Sequence, residues 1–229
     1  MDKFEHMPVY VWVGHVVSFV NVTLQAVLAV LAFRQPITPV DHVLTFVAAY
    51  VLADLVNGLV HMYMDNNDDY LSPVGPLVAS FHLHHRTPLY KRNPIPVVYY
   101  HESGAKIWLA FFLVAAVGCV WQGVLYGVAA YGIMYFSILS SIAEVSHYLA
   151  HDSDSKFARF LGRARILLPI KHHARHHIED NISYTFLNAM TDPLVDALAK
   201  RLYPIGYRQT TDLHYARYTG AGTENREQA

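Results

Sequence analysis

Residues 42–65 read HVLTFVAAYVLADLVNGLVHMYMD, an apolar run closed by a histidine and an aspartate four positions apart. A membrane span needs ~20 predominantly apolar residues. Residues four apart on a helix share one face, with β-carbons ~5–6 Å apart, so His61 and Asp65 form a pair at the end of this span. Similar apolar runs occupy residues 10–33, 107–121 and 124–145. Trp121, Gln122 and Gly123 fall between the last two, which predicts a tight turn and a helical hairpin. The first run is too long for a cleavable signal peptide and lacks a small-residue cleavage site after it. Cys119 is the only cysteine and lies inside a predicted span, which excludes an intrachain disulfide and argues against a cysteine-based metal site. The expected fold is all-α: an integral membrane four-helix bundle in a single domain, residues 1–217, followed by a small, polar tail, 218–229, that is expected to be disordered.

Four spans place the N-terminus, the middle loop and the C-terminal region on one side of the membrane. Of the 17 Lys and Arg residues only Arg34 lies on the other side. Basic residues collect on the cytoplasmic side, so both termini are expected there. The same topology gathers the histidines. They cluster as His61, as His82, His84 and His85, as His147 and His151, and as His172, His173, His176 and His177, with His101 between the second and third groups. All four groups fall at the cytoplasmic face and predict a histidine-rich cap. His6, His15, His42 and His214 lie outside the pattern and read as surface, interfacial or packing residues.

Spacing within the groups shows which side chains converge. His147 pairs with His151, His173 with His177, and His172 with His176 by the four-residue rule. Adjacent histidines at 84/85 and 176/177 add further nitrogens. One tetrahedral metal takes four ligands, so this supply points to two metal ions or to one site with a large outer shell. Imidazole suits iron, zinc, copper and nickel alike. The setting favours two irons: the mouth of a helical bundle in lipid, few carboxylates, and no complete H-E-x-x-H, since position 105 after His101-Glu102 is Ala. A histidine-rich surface segment that merely solvates the cytoplasmic face is the plain alternative.

Five strings in order carry a resemblance: DLVNGLVHMYMD at 54–65, F-x-x-H-H at 81–85, H-x-x-x-H at 147–151, LLPIKHHARHH at 167–177 and LNAMTDPL at 187–194. Together they resemble the Kua or CarF-type lipid desaturases, a family that includes plasmanylethanolamine desaturase. The resemblance covers roughly residues 40–200 and implies metal ligands at His61, His84, His85, His147, His151, His173, His176 and His177, with Asp65 at an acidic position of the motif. His172 matches a family histidine of undetermined role. The chain departs from the family pattern at His82, where a basic residue is common, and at Met62, where an aromatic is usual. It departs also at Arg92-Asn93-Pro94, where a further histidine is expected, although His101-Glu102-Ser103-Gly104 partly matches the acidic, glycine-containing segment that follows. These departures bear on which lipid is the substrate.

The resemblance implies an oxygen-dependent desaturase with two Fe ions, forming the vinyl ether bond that converts plasmanyl- to plasmenylethanolamine. An acyl-lipid desaturase or a lipid hydroxylase would use the same histidines. Removing hydrogen from an unactivated carbon needs chemistry no side chain supplies, so the metal carries it while the protein orients and shields. Two electrons must come from a cytochrome b5-type or ferredoxin donor on the cytoplasmic face. Arg159, Arg163, Arg165, Lys171 and Arg175 suit either donor docking or contact with anionic lipid. Residues 157–170 alternate apolar and basic and are expected to form an interfacial amphipathic helix over the site. Asp65 reads as a ligand, an outer partner that fixes a histidine tautomer, or a helix-end carboxylate; Asn188 as a holder of metal-bound water or a turn residue. The host membrane is the endoplasmic reticulum in a eukaryote or the inner membrane in a bacterium. A haem-binding electron carrier would need only one or two histidine pairs within the spans. A metal transporter would carry ionisable residues through the bilayer midplane.

Overall fold

The computed structural model describes residues 8–86, 93–153, 155–179 and 181–206. His6, His214, Lys3, Lys91, Arg92 and the tail 218–229 lie outside the described residues. Among those described there is no strand, and the helices are α1 (Pro8–Phe33), α2 (Pro39–Asp65), α3 (Gly75–Arg86), α4 (Ile95–Glu102), α5 (Ile107–Trp121), α6 (Val128–Asp152), α7 (Lys156–Arg163), α8 (Ile170–Ile178) and α9 (Asp192–Leu202). Three of them, α1, α2 and α6, are long and apolar enough to cross a membrane. A fourth crossing exists if α4 and α5 are taken together, but they meet at a 91° bend.

Local chemistry explains where these boundaries depart from the apolar runs. Helix α2 starts at Pro39, ahead of the expected His42, because Thr38 and Asp41 form a reciprocal capping box: Thr38 Oγ1 accepts from Asp41 N and Asp41 Oδ2 accepts from Thr38 N, each at 3.2 Å. The expected tight turn at 121–123 is a longer connection through residue 127, and α6 starts at Val128 instead of 124. Gly123 (φ 73°) and Gly127 (φ 56°) adopt left-handed backbone that side-chain-bearing residues disfavour, so the apolar Val124–Tyr126 stretch is spent on the turn. Helix α6 then runs on to Asp152, carrying His147 and His151 in its last turns. The expected amphipathic stretch 157–170 is split. Helix α7 covers only its first half, capped by Ser155 Oγ accepting from Ala158 N at 3.3 Å, and a turn with Arg165 at φ 54° leads into α8.

Two apolar clusters bind the bundle. At one end Leu28 and Ala32 of α1 pack with Leu109, Leu113 and Val120 of α5 and with Ala130, Tyr131 and Met134 of α6. Toward the histidines, Ala49 and Ala53 of α2 meet Phe136, Leu139 and Ala143 of α6 and Phe186 and Leu187 of the segment before α9. Small residues along α2 and α6 let these backbones approach closely, as is common where helices pack in lipid. Outward positions remain apolar, Phe111 at 73% and Val43 at 63% exposure, as a lipid-facing surface requires.

Lys106, one of the basic residues between the second and third apolar runs, is buried: it sits at the α4–α5 bend, 3% exposed, with Nζ 2.9 Å from Glu144 Oε1 and also donating to Asn57 Oδ1. The bend is braced from α1, where Asn21 Nδ2 donates to Ser103 O at 2.9 Å and Lys106 O at 3.1 Å.

Candidate metal centre

Four helices deliver the histidines to one place. Their ligand atoms divide into two adjacent groups, His84, His147, His151, His173 and His177 in one and His61, Asp65, His85 and His176 in the other, with the atoms of each group within 4.8 Å of one another. All nine residues singled out in the sequence are therefore brought together. The partition follows from helix geometry: each four-residue pair, 61/65, 147/151 and 173/177, serves one group, whereas each adjacent pair, 84/85 and 176/177, sends one ring to each. Neighbouring residues are about 100° apart around a helix, so a doubled histidine straddles the boundary between two sites. The 82–85 segment is helical, within α3.

In the first group Nε2 of His173 lies 2.6 Å from that of His151, and Nε2 of His177 lies 3.0 Å from that of His173 and 3.3 Å from that of His151. His147 and His151 approach at 3.3 Å through Nε2. In the second, Asp65 Oδ2 is 3.3 Å from Nε2 of His61, 3.3 Å from that of His85 and 3.2 Å from that of His176, without hydrogen-bond geometry. Burial pushes His85 down to about 4 despite Asp65 beside it, and also lowers His173 and His177, so these rings are neutral. Neutral rings then point several Nε2 atoms at common centres, and one shared proton serves only one pair. Nitrogens held about 2.1 Å from a single ion would sit about 3.0–3.4 Å apart. Each of the two groups could therefore hold a metal ion.

Outer partners fix how the rings face. His61 Nδ1 donates to Tyr184 O at 2.7 Å and His176 Nδ1 donates to Ile182 O at 2.8 Å, leaving both Nε2 lone pairs directed inward. The carbonyls are aimed by an irregular segment with Asn181 at φ 61° and Ser183 at φ 58°. Glu144, already paired with Lys106, places Oε2 3.7 Å from His147 Nδ1. Sequence reading missed these partners. Any residue supplies a carbonyl, and Glu144 shares no motif with the histidine it faces. Gly58 is also required: a β-carbon there would lie 2.4 Å from Thr185 Cγ2, in the same segment.

The undetermined histidines fall outside both groups. His82 donates from Nε2 to Met64 O at 3.2 Å and accepts from Tyr70 OH at 2.6 Å, tying α3 to the end of α2. His172 turns to Asp192, away from His176, so these two do not act as a pair. His101 stacks edge-on with His15 at 5.2 Å, and His42 bonds Tyr135 OH at 2.9 Å. Asn188 has a turn role, its Oδ1 accepting from Met190 N at 2.8 Å. Arg163, Arg165, Lys171 and Arg175 line one open groove of about 320 Å³ beside α8.

Acid sensitivity follows from the lowered imidazoles. Below the ordinary 6.5 of His85 the unfolded chain binds a proton that the folded chain refuses until about 4, so stability falls as pH drops through that window. The melting temperature of metal-free protein in detergent is expected to decline between these pH values; a constant value across them would contradict the neutral, buried cap.

No curated protein and no solved structure matches the chain. Residues 50–202, well over half of it and containing all nine candidate ligands, match the lipid desaturase domain. With these helices and this histidine cluster, the chain belongs to the lipid desaturase domain family and is a membrane oxidoreductase acting on lipid.

Proposed function

We propose that the protein uses two irons and dioxygen to desaturate a membrane glycerolipid, most specifically to form the vinyl ether bond converting plasmanyl- to plasmenylethanolamine. The observation that carries the dinuclear reading is the division of nine buried or half-buried ligands into groups of five and four. One iron would be held by His84, His147, His151, His173 and His177, and the other by His61, Asp65, His85 and His176. Iron bound there supplies the oxidising power that no side chain has. Dioxygen takes four electrons and four protons to become two waters: two of each with the hydrogens removed from adjacent substrate carbons, two electrons from an external donor and two protons from solvent.

The chain's own residues position and shield. Tyr184 O and Ile182 O hold the imidazole tautomers, while Phe186, with its ring 5.5 Å from His61 and 5.4 Å from His147, walls the centre against water. The basic groove beside α8 supports docking of an acidic cytochrome b5-type or ferredoxin donor. In this reading the four crossings form the bundle, both termini and the histidine cap face the cytoplasm, and α7, with Phe157 and Phe160 exposed beside Arg159 and Arg163, lies in the membrane interface.

Lipid mass spectrometry tests the substrate. Cells lacking plasmalogens, fed an alkylglycerol precursor, should gain acid-labile ether lipids two hydrogens lighter when they express this chain. Elemental analysis should find two irons per chain. Loss of hydrogen only from ester-linked acyl chains would replace the vinyl ether reading with acyl-lipid desaturation, and gain of oxygen would make the enzyme a hydroxylase.

A further inference from the structure

A cavity of about 490 Å³ opens between α1, α3 and the α4–α5 bend, outside both histidine groups. That volume is within the range of small-ligand sites, roughly 300–1,000 Å³. Its wall is apolar, with Val17, Leu77, Leu83 and Ile107, and Glu102 supplies a carboxylate. The rim includes Val13 and Ile107, near the ends of two apolar helices and each more than a third exposed, 38% and 39%. The mouth therefore opens beside two apolar helices, on the side where the proposed topology puts lipid.

Helix α3 joins this cavity to the histidines. Leu77, Ser80 and His84 follow at helical spacing on one face, and four residues of helix rise only about 6 Å from Ser80 to His84. A chain lying along this wall reaches His84 within about one turn. The opposite wall has space built into it: a β-carbon on Gly14 would meet nothing within 4 Å, whereas one on Gly104 would strike Gly14 O at 2.6 Å. Gly104 lets α1 close against the bend; Gly14 leaves the lumen open.

We infer that this cavity admits one hydrocarbon chain of the lipid substrate laterally from the bilayer and holds it along α3 beside His84, with Glu102 meeting the polar end. The inference rests on the proposed lipid desaturation and adds the route and the wall. An apolar chain gains by leaving no water in an apolar lumen, and a fixed wall sets which carbons stand at the metals.

Gly14→Phe projects a ring from a wall position whose β-carbon meets nothing within 4 Å, and Gly118→Phe, on α5 outside the cavity with equally open space at its β-carbon, is its control. With membrane abundance and iron content unchanged, Gly14→Phe is expected to lower product about 100-fold, the scale of a misplaced reacting carbon. Gly118→Phe should stay near wild type. Wild-type product from Gly14→Phe would overturn the cavity while leaving the desaturase reading intact. If the Phe variant fails to accumulate, photolabelling of wild-type membranes decides, using a phospholipid with a diazirine in its alkyl chain. Label on peptides bearing Leu77 to Leu83 or Gly14 to Val17 supports the route; label confined to the outward face of α5, around Phe111 and Val114, overturns it. Cavity labelling without any desaturated product would instead remove the proposed reaction and keep the lipid site.

Discussion

Replacing His176 or His177 with Ala is expected to lower desaturated product more than about 100-fold, beyond the 10–100-fold typical when an outer partner of a metal ligand is lost. The chain should still accumulate in the membrane, since neither ring belongs to an apolar cluster that joins the spans. The two residues are neighbours, yet they face different groups. His176 Nε2 stands 3.2 Å from Asp65 Oδ2 and 3.1 Å from His85 Nε2, whereas His177 Nε2 stands 3.0 Å from His173 Nε2. Each variant should therefore lose one of the two ions and keep the other, so elemental analysis should read about one iron per chain in both. Full activity in both variants would end the dinuclear assignment.

Asp54→Ala should be nearly as damaging, although Asp54 touches no ligand. Its carboxylate is fully buried and accepts from Asn188 N at 3.0 Å, Thr191 N at 2.9 Å and Thr191 Oγ1 at 2.7 Å. Alanine would leave three donors without an acceptor in the interior, at about 1–3 kcal/mol each. The segment they hold also presents Ile182 O and Tyr184 O to His176 and His61. Thermal unfolding is expected to show a loss of about 3 kcal/mol or more. Iron content should fall with it, despite an intact ligand set. A variant with wild-type melting temperature and iron content would show that this segment is anchored elsewhere.

The histidine positions were legible because helical spacing is a strong code: pairs four apart share a face and doubled residues do not. That rule alone foreshadows two groups. Less was legible wherever composition ceases to discriminate. Val124 to Tyr126 are apolar and sit in a turn, because Gly123 and Gly127 take left-handed backbone and lipid tolerates apolar residues in either conformation. The burial of Lys106 was not legible, since its partner Glu144 comes from another helix. His82 was ambiguous in sequence, since its partners, Tyr70 OH and Met64 O, belong to a loop and a backbone carbonyl. LNAMTDPL carried a resemblance without a role; the structure supplies one, with Asn188 and Thr191 anchored to Asp54 and Asp192 accepting from Thr185 N at 2.7 Å.

Helix α5 has 15 residues and so rises about 22 Å, against a hydrocarbon thickness of about 30 Å. The sharp bend at Lys106 means that α4 does not extend it along the same axis. In the proposed four-crossing topology, a bilayer meeting so short a helix would thin around it, drawing lipid head groups down toward the opposite leaflet. The deficit of about 8 Å follows from those same two lengths and spans several methylene groups of chain. Beside α5 the membrane would be dimpled, and carbons next to the glycerol backbone would stand at the depth where the histidines wait.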